Sequence, residues 1–187
     1  MIPMERGTVT EPLSPSTVIE VAEPAALIAV ELWSDPPAAA ERLGASLGGR
    51  LPDLGRSAPL AGGWRAIRVE PPVWWLSGPL ADLEAQLANL EPALADNGAA
   101  TDLSGGFVPI RIEGPQWRAV LMSGGVFDAE DPGFGPGSTA GTILHHAAVR
   151  HDVIGPQTVE VYVAPSYLED MLHHLRSALA RSGTGGS

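Results

Sequence analysis

The chain has 187 residues, 44% hydrophobic and 18% charged, which is enough for one compact domain with a real core and short for two. Its 11 basic residues, every one an arginine, face 22 acidic ones for a formal net charge of -11. Such a surface repels phosphate backbones and argues against nucleic-acid binding. The lack of lysine removes Schiff-base and phosphate-loop lysine chemistry, and the lack of cysteine removes thiol nucleophiles, disulfides and thiolate metal sites.

Residues 1–24 mix Pro, Ser, Thr and Glu with scattered Val, Ile and Leu, which makes no periodic face and predicts an extended N-terminal arm. Met1-Ile2-Pro3-Met4-Glu5 offers no basic or apolar leader, and no apolar run approaches the roughly 20 residues of a membrane span. A cytoplasmic, soluble chain without membrane contact is expected. The apolar stretch Ala25 to Trp33 reads equally as strand or helix, and Asp35-Pro36-Pro37 signals a helix start before Ala38 to Leu43. Arg65 to Glu70 alternates polar with apolar and Val73 to Leu76 is an apolar run, so a hairpin joined at Pro71-Pro72 is predicted. Leu80, Leu83, Leu87, Leu90 and Leu94 mark an amphipathic helix that Pro92 should kink and Asn97-Gly98 should end. Strands follow over Thr101 to Ser104 and Val108 to Glu113, then a helix over Gln116 to Met122 behind Pro115.

Asp128 to Gly137 reads as a loop, and Thr142 to Val149 and Val159 to Ala164 as an antiparallel pair turning near Gly155-Pro156. The last helix is the best signed: Ser166 and Glu169 form a capping box, and Leu168, Met171, Leu172, Leu175 and Leu179 make one apolar stripe. Residues 182–187 are expected to form a disordered tail, leaving 25–181 as a single α+β domain. Ile67 to Trp74 matches Ile110 to Trp117 at five of eight positions, which reads either as a duplicated unit or as chance similarity of two amphipathic strands.

Candidate chemistry is sparse. His145, His146, His151 and Asp152 suggest a metal or general-base site, but neighbouring residues on one strand point to opposite faces, so a half-exposed strand is the expected reading. His173 and His174 fall on the last helix, His174 away from the core and His173 on its flank. Gly44-Ala45-Ser46-Leu47-Gly48 spells a nucleophile elbow without the strand that must precede it. Asp128-Ala129-Glu130-Asp131-Pro132-Gly133 resembles a calcium loop missing two ligands and reads as an acidic turn. Gly133 to Ser138 lacks phosphate-loop spacing. Trp74 and Trp75 must face opposite ways, so at least one is expected to leave the core side as an anchor for a partner or ligand. No nucleophile, base and oxyanion set converges, so catalytic, cofactor-binding and metal residues are all expected to be none on this chain.

From Trp64 to Leu179 the order of signals resembles the gamma subunit family of heterotetrameric sarcosine oxidase, itself similar in fold to the folate-binding aminomethyltransferases of glycine cleavage. Ala100-Thr101-Asp102-Leu103-Ser104 looks like the family's D-x-S segment, and Arg111 to Pro115 leading into Ala119-Val120-Leu121 looks like its L-x-G-P stretch. Phe134, Pro136, Gly137 and Ser138 stand in register with its F-x-P-G-S loop. Ala164-Pro165-Ser166-Tyr167 resembles its V-P-R-S-F-A, and Leu51-Pro52 with Trp74-Trp75-Leu76 resembles its upstream L-P and W-L-L positions. The chain departs from the family where Gly124-Gly125-Val126 replaces Gly-Cys-Pro and where no arginine precedes Ser166.

The resemblance implies an α+β fold of two ferredoxin-like β-α-β units with antiparallel sheet. It implies a non-catalytic subunit that stabilises the large flavoprotein subunit of a complex oxidising sarcosine or a related N-methyl or secondary amine. The implied partners are alpha (the large flavoprotein), beta and delta subunits, and the implied cofactors, FAD, FMN, NAD, tetrahydrofolate and zinc, lie on those partners. The alternative is a free-standing folate-binding module related to aminomethyltransferases, in which Asp102 and Glu113 pair with a pterin's amino groups.

Overall fold

A computed structural model of the chain describes residues 16–34, 36–125 and 127–182. Within the segment expected as an arm, Val18–Val21 form strand β1, paired antiparallel with a strand almost a hundred residues later; residues 1–15 lie outside the described residues. Val18 and Val21 are exposed while Ile19 is buried, so this short edge strand is held by one apolar side chain and its ladder.

Ala25–Leu32 is strand β2, which settles the helix-or-strand ambiguity. Ala26, Ile28, Val30 and Leu32 are buried on one face and Leu27 on the other, so the run is continuously apolar because both faces of this strand are covered. Helix α1 (Pro36–Ser46), β3 (Ser57–Pro59), β4 (Arg65–Glu70), β5 (Val73–Pro79), α2 (Leu83–Leu94) and β6 (Gly98–Asp102) follow. The predicted hairpin is present as β4 and β5, turning at a cis Pro71–Pro72 bond. The α2 stripe buries Leu90 and Leu94 and half-buries Leu83 and Leu87, whereas Leu80 belongs to a preceding 3₁₀ turn and is exposed. Pro92 lies in the final turn of α2 without ending it before Leu94.

The second half runs β7 (Val108–Glu113), α3 (Trp117–Met122), β8 (Thr139–Leu144), β9 (Ala147–Gly155), β10 (Thr158–Val163) and α4 (Leu168–Ser182). Thr142 to Val149 is not one strand but the tip of a hairpin, with Leu144 opposite Ala147 and His145-His146 as its two-residue loop. Alternation simply continues across the turn, which carries none of the usual Gly or Asn signals. The chain enters α4 through a 3₁₀ turn, Pro165–Tyr167, whose start has no side-chain cap, in place of the predicted capping box. The α4 stripe holds: Met171 and Leu175 are buried, and Leu168, Leu172 and Leu179 pack against the same core. Ser182, assigned to the tail, closes α4; residues 183–187 lie outside the described residues.

Two five-stranded antiparallel sheets result, ordered β3-β4-β5-β2-β6 and β8-β9-β10-β7-β1. The α+β class and the two ferredoxin-like units are therefore present. Each sheet buries one face under its own helix pair: α1 and α2 over Ile28, Val30, Trp74 and Leu76, and α3 and α4 over Ile110, Ile112, Val159 and Val161. The opposite faces meet in a smaller core of Leu27, Ile67 and Tyr162 with Val69, Trp75, Leu103 and Phe107 packed on it. The order of layers is helix, sheet, sheet, helix. The sequence echo does not record this repeat: it aligns β4 with β7, which hold non-equivalent places in the two sheets, so it is chance similarity.

Candidate functional site

The seam between the sheets holds a buried polar network. Arg65 on β4 and Asp152 on β9 pair across it: the guanidinium donates from Nε to Asp152 Oδ2, from Nη2 to Oδ1 at 3.0 Å, and from Nη2 to Ser57 Oγ at 2.6 Å. Ser57 donates to Asp152 Oδ1, so this fully buried carboxylate is satisfied at both oxygens. Arg150 reaches across to the Val69 carbonyl at 3.0 Å, and the Tyr162 hydroxyl lies 2.9 Å from Glu160 Oε2 and 3.3 Å from Ser77 Oγ. Burial, reinforced by the Glu160 charge, holds the Tyr162 phenol well above its ordinary pKa, so it serves as a hydrogen-bonding group and not as an acid. Trp75 packs 4.6 Å from the Phe107 ring and 6.0 Å from Tyr162.

These contacts relocate several predicted site residues. His151 and Asp152, expected on a half-exposed strand, are 1% and 0% exposed. Asp152 is consumed by Arg65, and His151 lies on the helix face against Phe127 with neither ring nitrogen hydrogen-bonded. Burial, with the neighbouring Arg150 charge, pushes its pKa down to about 4, so it stays neutral in the folded chain. Neither tryptophan of the Trp74-Trp75 pair is exposed. Trp74 is buried beneath the Arg68 guanidinium at 3.6 Å and donates to the Pro52 carbonyl, while Trp75 fills the seam. The exposed indole is instead Trp33, at 58%.

Ser46, at the centre of the elbow-like motif, ends α1 and donates to the Leu43 carbonyl at 2.8 Å, so it is not presented as a nucleophile. Asp128 and Asp131 accept the amides of Glu130 and Gly133, the pattern of an acidic turn. Asp102 caps its strand by accepting the Ser104 amide; hydrogen bonding to the Ser104 side chain and then to its amide holds the Asp102 carboxyl below the usual range, and the Ser104 hydroxyl accepts from Leu27 N. Glu113 lies on β7 in the other sheet, so the two acids considered for a pterin do not share a face.

The one group of potential metal-ligating side chains among the described residues is His145, His146 and Asp170. Sequence reasoning missed it because it placed the histidines on a strand, where adjacent side chains diverge. On a hairpin loop they converge on the start of α4. His145 also stacks on His174 at 4.5 Å and 13°, so His174 is half-buried and His173 exposed, the reverse of the expectation. Burial, then the charges of His145 and Arg181, lower the His174 pKa.

Paired antiparallel sheets, each sealed by two helices and joined at a side-chain-filled seam, define an α+β double-unit fold. The chain aligns with a chain of the heterotetrameric sarcosine oxidase from Corynebacterium sp. U-96 in complex with pyrrole 2-carboxylate. That match has a TM-score of 0.81 and 21% identity, covering 91% of this chain and 87% of that one. It also aligns with the glycine cleavage system aminomethyltransferase T from Bartonella henselae, at TM-score 0.61 and 21% identity, covering 85% of this chain and 46% of that one. The fold is thus that of a sarcosine oxidase chain and of part of an aminomethyltransferase. No family model and no curated protein matches the chain. Among the described residues no helix is long and apolar enough to cross a membrane.

Proposed function

We propose that this chain is the gamma-type, non-catalytic subunit of a sarcosine oxidase-like flavoenzyme complex, in which it stabilises the large flavoprotein subunit. The observation that carries this reading is extent: the fold covers 87% of one chain of a multi-subunit oxidase, against 46% of the aminomethyltransferase chain. The interior supports it. Two acid–base groups that the sequence singles out are engaged in the fold: Asp152 is paired in the seam, and His151 is buried and neutral. In this role the partners are alpha, beta and delta subunits, which carry the flavins, the nicotinamide dinucleotide, the folate site and the zinc. The amine is oxidised on the flavoprotein, and this chain contributes surface and stability.

Native mass spectrometry of the untagged chain isolated from its own cells, with a visible spectrum of the same sample, tests the reading. The expected result is an assembly with larger subunits and flavin absorbance. A lone, colourless ~19 kDa species overturns it and returns the folate-binding module to first place.

A further inference from the structure

The β8–β9 loop has a feature that folding alone does not call for. His145 has a φ of 58°, and of the two loop residues it alone is positive. This is the position that a type II′ hairpin turn gives to glycine, and an imidazole there is held against local strain. The loop is anchored nonetheless, because the His145 amide donates to the Gly124 carbonyl at 2.7 Å. Its ring is backed by the stacked His174, one helical turn beyond Asp170 on α4. The result brings two imidazoles to a single carboxylate oxygen: Asp170 Oδ2 is 3.0 Å from His146 Nε2 and 3.8 Å from His145 Nε2.

An ordinary surface ion pair needs one histidine per carboxylate and no strained backbone. Ligands about 2.0–2.1 Å from a tetrahedral zinc ion stand roughly 3.3 Å apart. The two separations straddle that edge, and all three ligand atoms lie within 4.8 Å of one another. Two imidazoles and one carboxylate suit zinc and its first-row neighbours, and they offer too few oxygens for calcium or magnesium. The three side chains are 43%, 52% and 53% exposed, so an ion can reach them.

We propose that His145, His146 and Asp170 bind one divalent first-row transition ion of the zinc class, with the fourth position open to water, and that the ion ties the β8–β9 hairpin to α4. His174 acts as a positioning residue that holds the His145 ring. The proposal does not rest on the subunit role, because all three ligands belong to this chain.

The test is calorimetric titration of the untagged, chelator-stripped full chain with Zn2+, alongside thermal melts with and without the ion. One ion per chain is expected, with a higher Tm when it is bound. His146→Ala and Asp170→Asn should each weaken binding at least about tenfold and abolish the Tm rise, while His173→Ala, outside the cluster, should change neither. His145→Gly separates strain from ligation: it should raise the Tm of the metal-free chain and lower Zn2+ affinity. The absence of saturable Zn2+ binding by the folded wild-type chain overturns the proposal. So does stoichiometric binding that His146→Ala and Asp170→Asn leave intact.

Discussion

The two halves of the molecule follow one topological plan and close it differently. In the first, the sheet β3-β4-β5-β2-β6 is completed by β6, the strand that follows α2. In the second, the equivalent position beside β7 is filled by β1, which precedes β2 in the chain. The first half thus completes its own edge, whereas the second depends on a segment from the far side of the sequence. Their interiors differ as well. Among the described residues the first half buries one polar side chain, Ser57, while β8 and β9 bury Thr139, His151 and Asp152. The titratable burden therefore falls on the half with the borrowed strand, and the first half supplies the arginine that neutralises its buried acid.

Breaking that inter-half pair has the largest expected effect. Asp152→Ala removes the carboxylate and leaves Arg65, whose side chain is 18% exposed, without its partner. The expected loss is about 3 kcal/mol, measured by urea unfolding at neutral pH. A loss under about 0.5 kcal/mol, the size of an ordinary surface change, contradicts the view that this pair joins the halves.

Acid sharpens the comparison with a smaller effect. His151 titrates near 6.5 when unfolded and near 4 in the fold, so the unfolded chain binds the extra proton between those values. Its contribution is fully present above pH 6.5 and is lost as pH falls toward 4. Moving from pH 7.5 to 5.0 should therefore cost wild type about 2 kcal/mol more than His151→Leu, read from urea unfolding of both proteins. Equal losses in the two proteins would show that the ring is not held neutral.

Much of this architecture is legible in the sequence wherever the signal is local. The α4 stripe from Leu168 to Leu179 and the hairpin around Pro71-Pro72 are written in spacing and punctuation, and the helix-like run before Ser46 is α1. What the sequence conceals is pairing over distance. Four residues at Val18–Val21 read as coil until they meet β7, and Asp152 looks like a surface acid until Arg65, 87 positions away, closes on it. The histidine cluster is hidden for another reason: a His-His turn preserves the two-residue alternation of the strands beside it, and one misplaced turn reverses which side chains converge.

Amine oxidation per assembled complex tests the proposed non-catalytic role of this chain. Wild-type chain is compared with the His145→Ala, His146→Ala and His151→Ala variants, with assembly verified for each. Turnover per flavin is expected to be unchanged in all three. A loss of about a hundredfold in any of them with assembly intact, the scale of removing a general acid or base, would contradict it.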